Sequence, residues 1–84
     1  MSANIYVGNL SYSATDDDLS DLFKKFGAVV SASVIVDRET KRSRGFGFVE
    51  MKDPGEANQA IEELDGKEAF GRPLRVNIAR PRED

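Results

Sequence analysis

The octapeptide RGFGFVEM, residues 44–51, sets Phe46 and Phe48 two apart between Arg44 and Glu50, and Tyr6 stands in a second strand-like run, IYVGNL, at residues 5–10. Rings beside guanidinium groups need no catalytic group to be useful. They stack on unpaired planar bases while the cations meet the phosphates that join those bases. That chemistry requires exposed rings, and aromatic side chains on strands are ordinarily core. Competing chemistries have little to work with. The chain contains no cysteine and no histidine, which removes a disulfide framework, thiolate or imidazole metal sites, and the Cys/His and Ser/His nucleophile pairs. The run Asp16, Asp17, Asp18 could suggest a metal site, but consecutive acids at a helix start serve the helix dipole and solubility. The expectation is a binding protein with no metal, no cofactor and no enzymatic activity.

The elements that must position these side chains follow from periodicity and caps. IYVGNL alternates Ile5 and Val7 against Tyr6 and Gly8, the period of a half-buried strand. Thr15 then offers a cap hydroxyl ahead of three acids. Leu19, Leu22, Phe23 and Phe26 recur at helical spacing, and Gly27 is positioned as a left-handed stop. Residues 29–37 are rich in β-branched side chains, with Val30, Ala32, Val34 and Val36 expected inward and the Ser31, Ser33 side wet. DRETKRS is a polar turn leading into RGFGFVEM. Asp53 and Pro54 read as cap and first position of a second helix carrying Ala57, Ala60, Ile61 and Leu64 on one face, with Asp65-Gly66 as its exit. GKEAFGR is a loop or short hairpin. PLRVNIA is a last strand with Leu74, Val76 and Ile78 inward and Arg75 and Asn77 outward. The order is βαββαβ, and right-handed crossovers put both helices on one face of one sheet.

With one face covered, each strand has one buried parity. In residues 44–51 the choice lies between Arg44, Phe46, Phe48, Glu50 and Gly45, Gly47, Val49, Met51. Burying the first set gains about 1.5 to 3 kcal/mol for each phenylalanine, but takes two charges inside at several kcal/mol per ion. Burying the second keeps the charges wet and puts two glycines beneath the helices, where backbones approach closely. The second arrangement is favoured. Tyr6, Phe46 and Phe48 then share an open face with Arg44, Arg75 and Asn77, and exposed aromatic clusters mark binding surfaces.

RGFGFVEM is similar to the octamer signature of the RNA-recognition motif family, which reads basic, glycine, aromatic, small, aromatic, aliphatic, any residue, large apolar. IYVGNL resembles the family's paired hexamer. The match covers nearly the whole chain, which looks most like short, single-domain bacterial RNA-binding proteins of the cyanobacterial type and their plant glycine-rich relatives, without a glycine-rich tail. The resemblance implies an α+β, ferredoxin-like βαββαβ sandwich with a four-stranded antiparallel sheet and two helices on one face. It places both motifs on adjacent central strands, with Tyr6 and Phe48 stacking on successive bases, Phe46 set between sugars, and Arg44 pairing with a phosphate. Two positions depart from the pattern: Met51, where many members carry an aromatic, lies on the inward side, and Lys41 stands where many have glycine in the hairpin loop.

The expected partner is short single-stranded RNA, with single-stranded DNA as a competing ligand and RNA chaperoning or post-transcriptional regulation as the matching roles. Arg75 and Asn77 are further contact candidates on the sheet, and Lys41, Arg42, Arg80 and Arg82 are candidates for phosphate on loops and tail. Glu50 could accept from an exocyclic amine such as cytosine N4, or pair with a neighbouring arginine. Tyr12 reads as a packing residue that seats the first helix. The net charge of −3 has the wrong sign for such a partner, but residues 15–26 and 53–65 carry −7 and the remainder +4, so an acidic helix face can coexist with a basic sheet. The 84 residues suit one domain, expected over 3–80 with a tail at 81–84. No apolar run approaches the roughly 20 residues of a membrane span, and the amino terminus lacks the pattern of a secretion signal, so the expectation is a cytoplasmic monomer that touches no membrane. Two rival functions share this architecture. An acylphosphatase-like hydrolase would need an arginine in a phosphate-cradling glycine loop near the first strand, and the GFG run is no dinucleotide fingerprint because Glu50 occupies the third glycine's place. A protein-binding variant of the same fold could use the exposed rings to grip a peptide.

Overall fold

A computed structural model describes residues 2–41 and 43–79. In chain order the elements are β1 (Ala3–Gly8), α1 (Asp16–Lys24), β2 (Val29–Val36), β3 (Ser43–Met51), α2 (Pro54–Leu64), a small hairpin of β4 (Glu68–Ala69) and β5 (Arg72–Pro73), and β6 (Arg75–Ile78). The main sheet runs β2-β3-β1-β6 with antiparallel neighbours throughout. This is the expected ferredoxin-like βαββαβ arrangement, with the two motif strands at its centre.

Both helices start as their caps dictate. The Asp18 amide donates to Thr15 Oγ1 at 3.1 Å and the Thr15 amide donates to Asp18 Oδ2 at 3.1 Å, a reciprocal capping box. The acids here do more than serve the dipole, because Asp16 Oδ1 accepts the Val34 N–H at 2.7 Å and ties the helix start to β2. The expected left-handed stop at Gly27 is absent: φ there is 159°, nearly extended, and Lys25 closes the helix in the right-handed region. The Phe26 amide donates to the Phe23 carbonyl at 3.0 Å, a tightened last turn that needs no left-handed residue. Asp53 caps α2 through the Gly55 amide at 3.1 Å, with Pro54 in the first turn. At the exit, Asp65 Oδ1 accepts the Val76 N–H at 3.0 Å and so fixes β6 to the end of α2.

One core collects the inward side chains of β1 and β3 and those at the start of β6. Ile5 and Val7, Val49 and Met51, and Leu74 and Val76 are buried against Leu19 and Phe23 of α1 and Ala57, Ala60 and Leu64 of α2. Both helices therefore lie on one face. Met51, smaller and more pliable than an aromatic ring, fills its inward position with no exposed surface. Gly47 lies where a Cβ would stand 2.5 Å from the Ser33 carbonyl oxygen and 3.1 Å from Leu19 Cδ2, so close approach to β2 and α1 demands glycine.

Three inward assignments are corrected, at Val30, Val36 and Ile78. Register shifts between Val29 and Ser31 and between Val34 and Val36 break the alternation of β2. At the first, β2 advances two residues against one on β3, an extra residue that flips the parity; at the second, β3 runs four residues, Gly47 to Ser43, against two on β2, so regular pairing lapses there. Val29 joins the core margin beside Ala32 and Val34, while Val30 and Val36 are 56% and 52% exposed. Ile78 is also exposed, since it ends the edge strand β6 with only β1 beside it.

The turn between β2 and β3 is organised by Asp37. Its carboxylate accepts the Glu39 amide at 2.8 Å and the Thr40 amide at 3.4 Å, and its carbonyl accepts the Lys41 amide at 2.8 Å. Lys41 adopts φ 58°, the left-handed conformation that suits glycine, so the departure from the family pattern leaves the turn geometry in place at the cost of some strain. The amide bonds to Glu39 and Thr40, aided by the charge of Arg44, hold the Asp37 carboxyl below its ordinary value of 3.8. A depressed folded-state value contributes stability that is fully present above the unfolded value and lost as pH falls through the folded one.

Two outcomes follow. Acid titration should show the Glu39 and Thr40 amide resonances moving with a midpoint below 3.8, and Asp37→Asn should abolish that transition; a midpoint at or above 3.8 would remove Asp37 as the organiser of the turn. Gly47→Ala should destabilise the fold by about 1–3 kcal/mol through overpacking against backbone, read as a lower urea midpoint.

Candidate nucleic-acid interface

On the side of the sheet away from the helices, the cross-strand pairs form rows. Ser33, Phe48, Tyr6 and Asn77 lie in register across β2, β3, β1 and β6, and the next row holds Phe46, Gly8 and Arg75. The row on the other side holds Ser31, Glu50 and Asn4. Period-two alternation thus brings side chains far apart in sequence onto one surface.

The rings form a nearly equilateral triangle. Centroid separations are 6.0 Å for Tyr6–Phe46, 5.9 Å for Tyr6–Phe48 and 6.0 Å for Phe46–Phe48. Tyr6 and Phe46 are tilted by 34°, whereas Phe48 meets both nearly edge-on, at 61° and 85°. Such tilted and edge contacts match the quadrupoles of the rings and hold them in place without a ligand. Phe48 is 40% exposed and the other two are half-buried. Gly8 makes room for this packing: a Cβ there would stand 2.6 Å from the Tyr6 hydroxyl oxygen. The result is a rigid apolar surface about three rings wide in the middle of a polar sheet face.

Around the triangle the candidate polar residues take different places. Asn77 and Arg75 are exposed on β6, directly across β1 from the rings. With Asn9 and Pro73 they line a shallow groove, and the Asn9 side-chain amide donates to the Pro73 carbonyl at 2.6 Å, which holds that wall. Arg44 is exposed at the opposite end of β3, bordering a groove with Ile35, Val36, Asp37 and Arg38. Its charge is shared with Asp37. Lys41 is exposed in the hairpin loop. Arg42, Arg80 and Arg82 lie outside the described residues, as does the expected tail 81–84.

Glu50 is not clamped by an arginine among the described residues; its Oε2 accepts the Ser2 hydroxyl at 2.6 Å. Its negative charge therefore stays on the open face. Tyr12 does not seat α1 either. Its ring is 71% exposed, with the Arg72 guanidinium 6.0 Å above the ring centroid. Sequence reasoning missed this pair because the two residues sit on irregular loop and hairpin, where no periodicity signals a shared surface. Asn4 was also missed, though parity with Tyr6 would have placed it. Among the described residues no group of acidic side chains could hold a metal ion, and no helix is long and apolar enough to cross a membrane.

Comparison with known proteins agrees with this geometry. The family model described as RNA recognition motif matches residues 5–75. RbpE of Nostoc sp., named as an RNA-binding protein, is 56% identical over 81 residues, covering 96% of this chain and 82% of its own. The crystal structure of the RNA-binding protein PG1 superposes with a TM-score of 0.92 at 56% identity, covering 98% of this chain and 99% of that one. An Sxl-lethal protein–RNA complex superposes with a TM-score of 0.90 at 28% identity, covering 100% of this chain and 50% of that one. The fold, the paired motifs and these matches together show that the chain belongs to the RNA recognition motif family.

Proposed function

We propose that this protein binds short single-stranded RNA across the open face of its sheet and does no covalent chemistry. The observation that carries the reading is the ring triangle, three aromatic faces about 6 Å apart on a solvent-facing sheet. Tyr6 and Phe48 stack on successive bases and Phe46 packs between the sugars. Asn77 supplies a polar contact to a base edge, and Arg75, Arg44 and Lys41 neutralise phosphates, with Arg42 and Arg80 as further cations of the same kind. Few groups here read base edges, so sequence preference is modest and single-stranded DNA competes. The working form is a cytoplasmic monomer comprising one domain over residues 3–80.

The charge distribution supports this reading. The −7 of the helical segments faces away from the sheet and the +4 of the remainder includes its rim, so an approaching polyanion is oriented toward the rings.

Each stacked base is worth about 1–3 kcal/mol. Tyr6→Ala combined with Phe48→Ala should therefore weaken RNA binding by at least about 30-fold, measured by fluorescence anisotropy with the fold monitored by circular dichroism. Intact binding in the double variant would sink the three-ring site. For the unaltered protein, log affinity should fall with log salt by about 0.7 per phosphate contact. A nearly flat slope, with a peptide competing for the rings, would instead indicate a protein-binding surface.

A further inference from the structure

We infer that Glu50 reads the edge of the base stacked on Phe48 and selects guanine there. The inference rests on the RNA-binding reading above and gives that surface one point of base selectivity. Glu50 follows Phe48 by two residues on β3, in the row Asn4, Glu50, Ser31 that lies immediately beside the row holding Tyr6 and Phe48. Pairing is regular from Asn4 to Gly8 on β1 and from Ser31 to Val34 on β2, so both rows project onto the open face. Two residues along a strand span about 7 Å, which puts the carboxylate beside the ring and not beneath it. Phe48 is also the most exposed of the three rings.

An acid is out of place on this surface unless donors come to meet it. Among the described residues of β1, β2, β3 and β6, Glu50 is the only acid, and a carboxylate repels the phosphates that Arg44 and Arg75 attract. No lysine or arginine among the described residues pairs with it. The Ser2 hydroxyl donates to Oε2 at 2.6 Å and so orients the group, while Oε1 has no partner among the described residues. A base settling on Phe48 takes water from this half-buried carboxylate. The covered oxygens then need replacement donors, and the base is the group that can bring them.

An ionised carboxylate only accepts hydrogen bonds. Bases of a single strand expose their Watson–Crick edges, and there guanine alone carries two adjacent donors, N1–H and the N2 amine, to match the two oxygens of one carboxylate. Cytosine and adenine offer one amine beside a ring acceptor. Uracil offers one N–H between two carbonyls, which turn acceptors toward an acceptor. Asn4, exposed beside Glu50 across β1, carries the amide donor that suits guanine O6, the acceptor next to N1. The row thus complements guanine along its whole edge.

The test uses uridine tetramers in which guanine, adenine or cytosine replaces one uridine at each position in turn, compared with UUUU by amide-shift titration. A guanine tetramer should bind more tightly than UUUU by roughly 5- to 150-fold, the worth of one bidentate base contact. Inosine in place of that guanine keeps N1–H but lacks the N2 amine, and should remove most of the gain. Glu50→Gln still accepts from Ser2 but turns one acceptor into a donor, so the ratio of guanine to uridine affinity should fall to near one. Preference for another base, equal affinity for all tetramers, or a guanine preference that survives Glu50→Gln overturns the assignment and leaves the sheet reading in place. An unaltered protein that binds none of the tetramers overturns the RNA reading, and this contact with it.

Discussion

Two helices can cover only one face of a four-stranded sheet, and β3 carries Arg44 and Glu50 on the same side as Phe46 and Phe48. Taking those two charges under the helices would cost several kcal/mol per ion, more than the rings return by burial. The sheet is therefore forced into one orientation. Val49 and Met51 go inward, Ile5 and Val7 follow because they pair across from β3, and Tyr6 must come out beside Phe48. The exposed ring cluster is thus a consequence of how charge is placed along a single strand. A substitution that removed both charges would weaken the reason for the rings to face water.

The remainder of the molecule keeps that face flat and fixed. Side-chain carboxylates and an amide tie loops to strands: Asp16 to Val34, Asp65 to Val76, and Asn9 to Pro73. Each satisfies a backbone group where the strand ladder is irregular or ends, so the strands hold their positions without help from bound ligand. The acidic groups are concentrated in the helical segments, on the opposite layer from the rings. The fold thereby presents an apolar, cation-rimmed surface on one side and an acidic one on the other.

Much of this was legible in the sequence because its main signals are periodic. The parity of RGFGFVEM located the rings, and the capping residues Thr15 and Asp53 located both helices. Where periodicity fails, legibility fails with it. Alternation fails in β2 because the ladder is irregular beside Val30 and Val36, both of which are exposed, and nothing in a run rich in β-branched residues marks an irregular ladder. The position of Gly27 just after the helical apolar series suggests a left-handed stop, whereas α1 closes with a tightened turn. Glycine under the helices was half right: Gly47 is required by the Ser33 carbonyl, but Gly45 has φ 84° and stands against Tyr12. The pairing of Tyr12 with Arg72 depends on where a loop and a hairpin meet in space, a long-range fact that local sequence does not encode.

The central claim is that the open face of the sheet is the RNA-binding surface, and chemical-shift mapping tests it most directly. The isotopically labelled protein would be titrated with a degenerate short single-stranded RNA at low and at moderate salt. Amide shifts concentrated at Tyr6, Phe46, Phe48 and Asn77, shrinking as salt rises, are the expected result. Shifts absent from these positions, or gathered instead on α1 and α2, would contradict it.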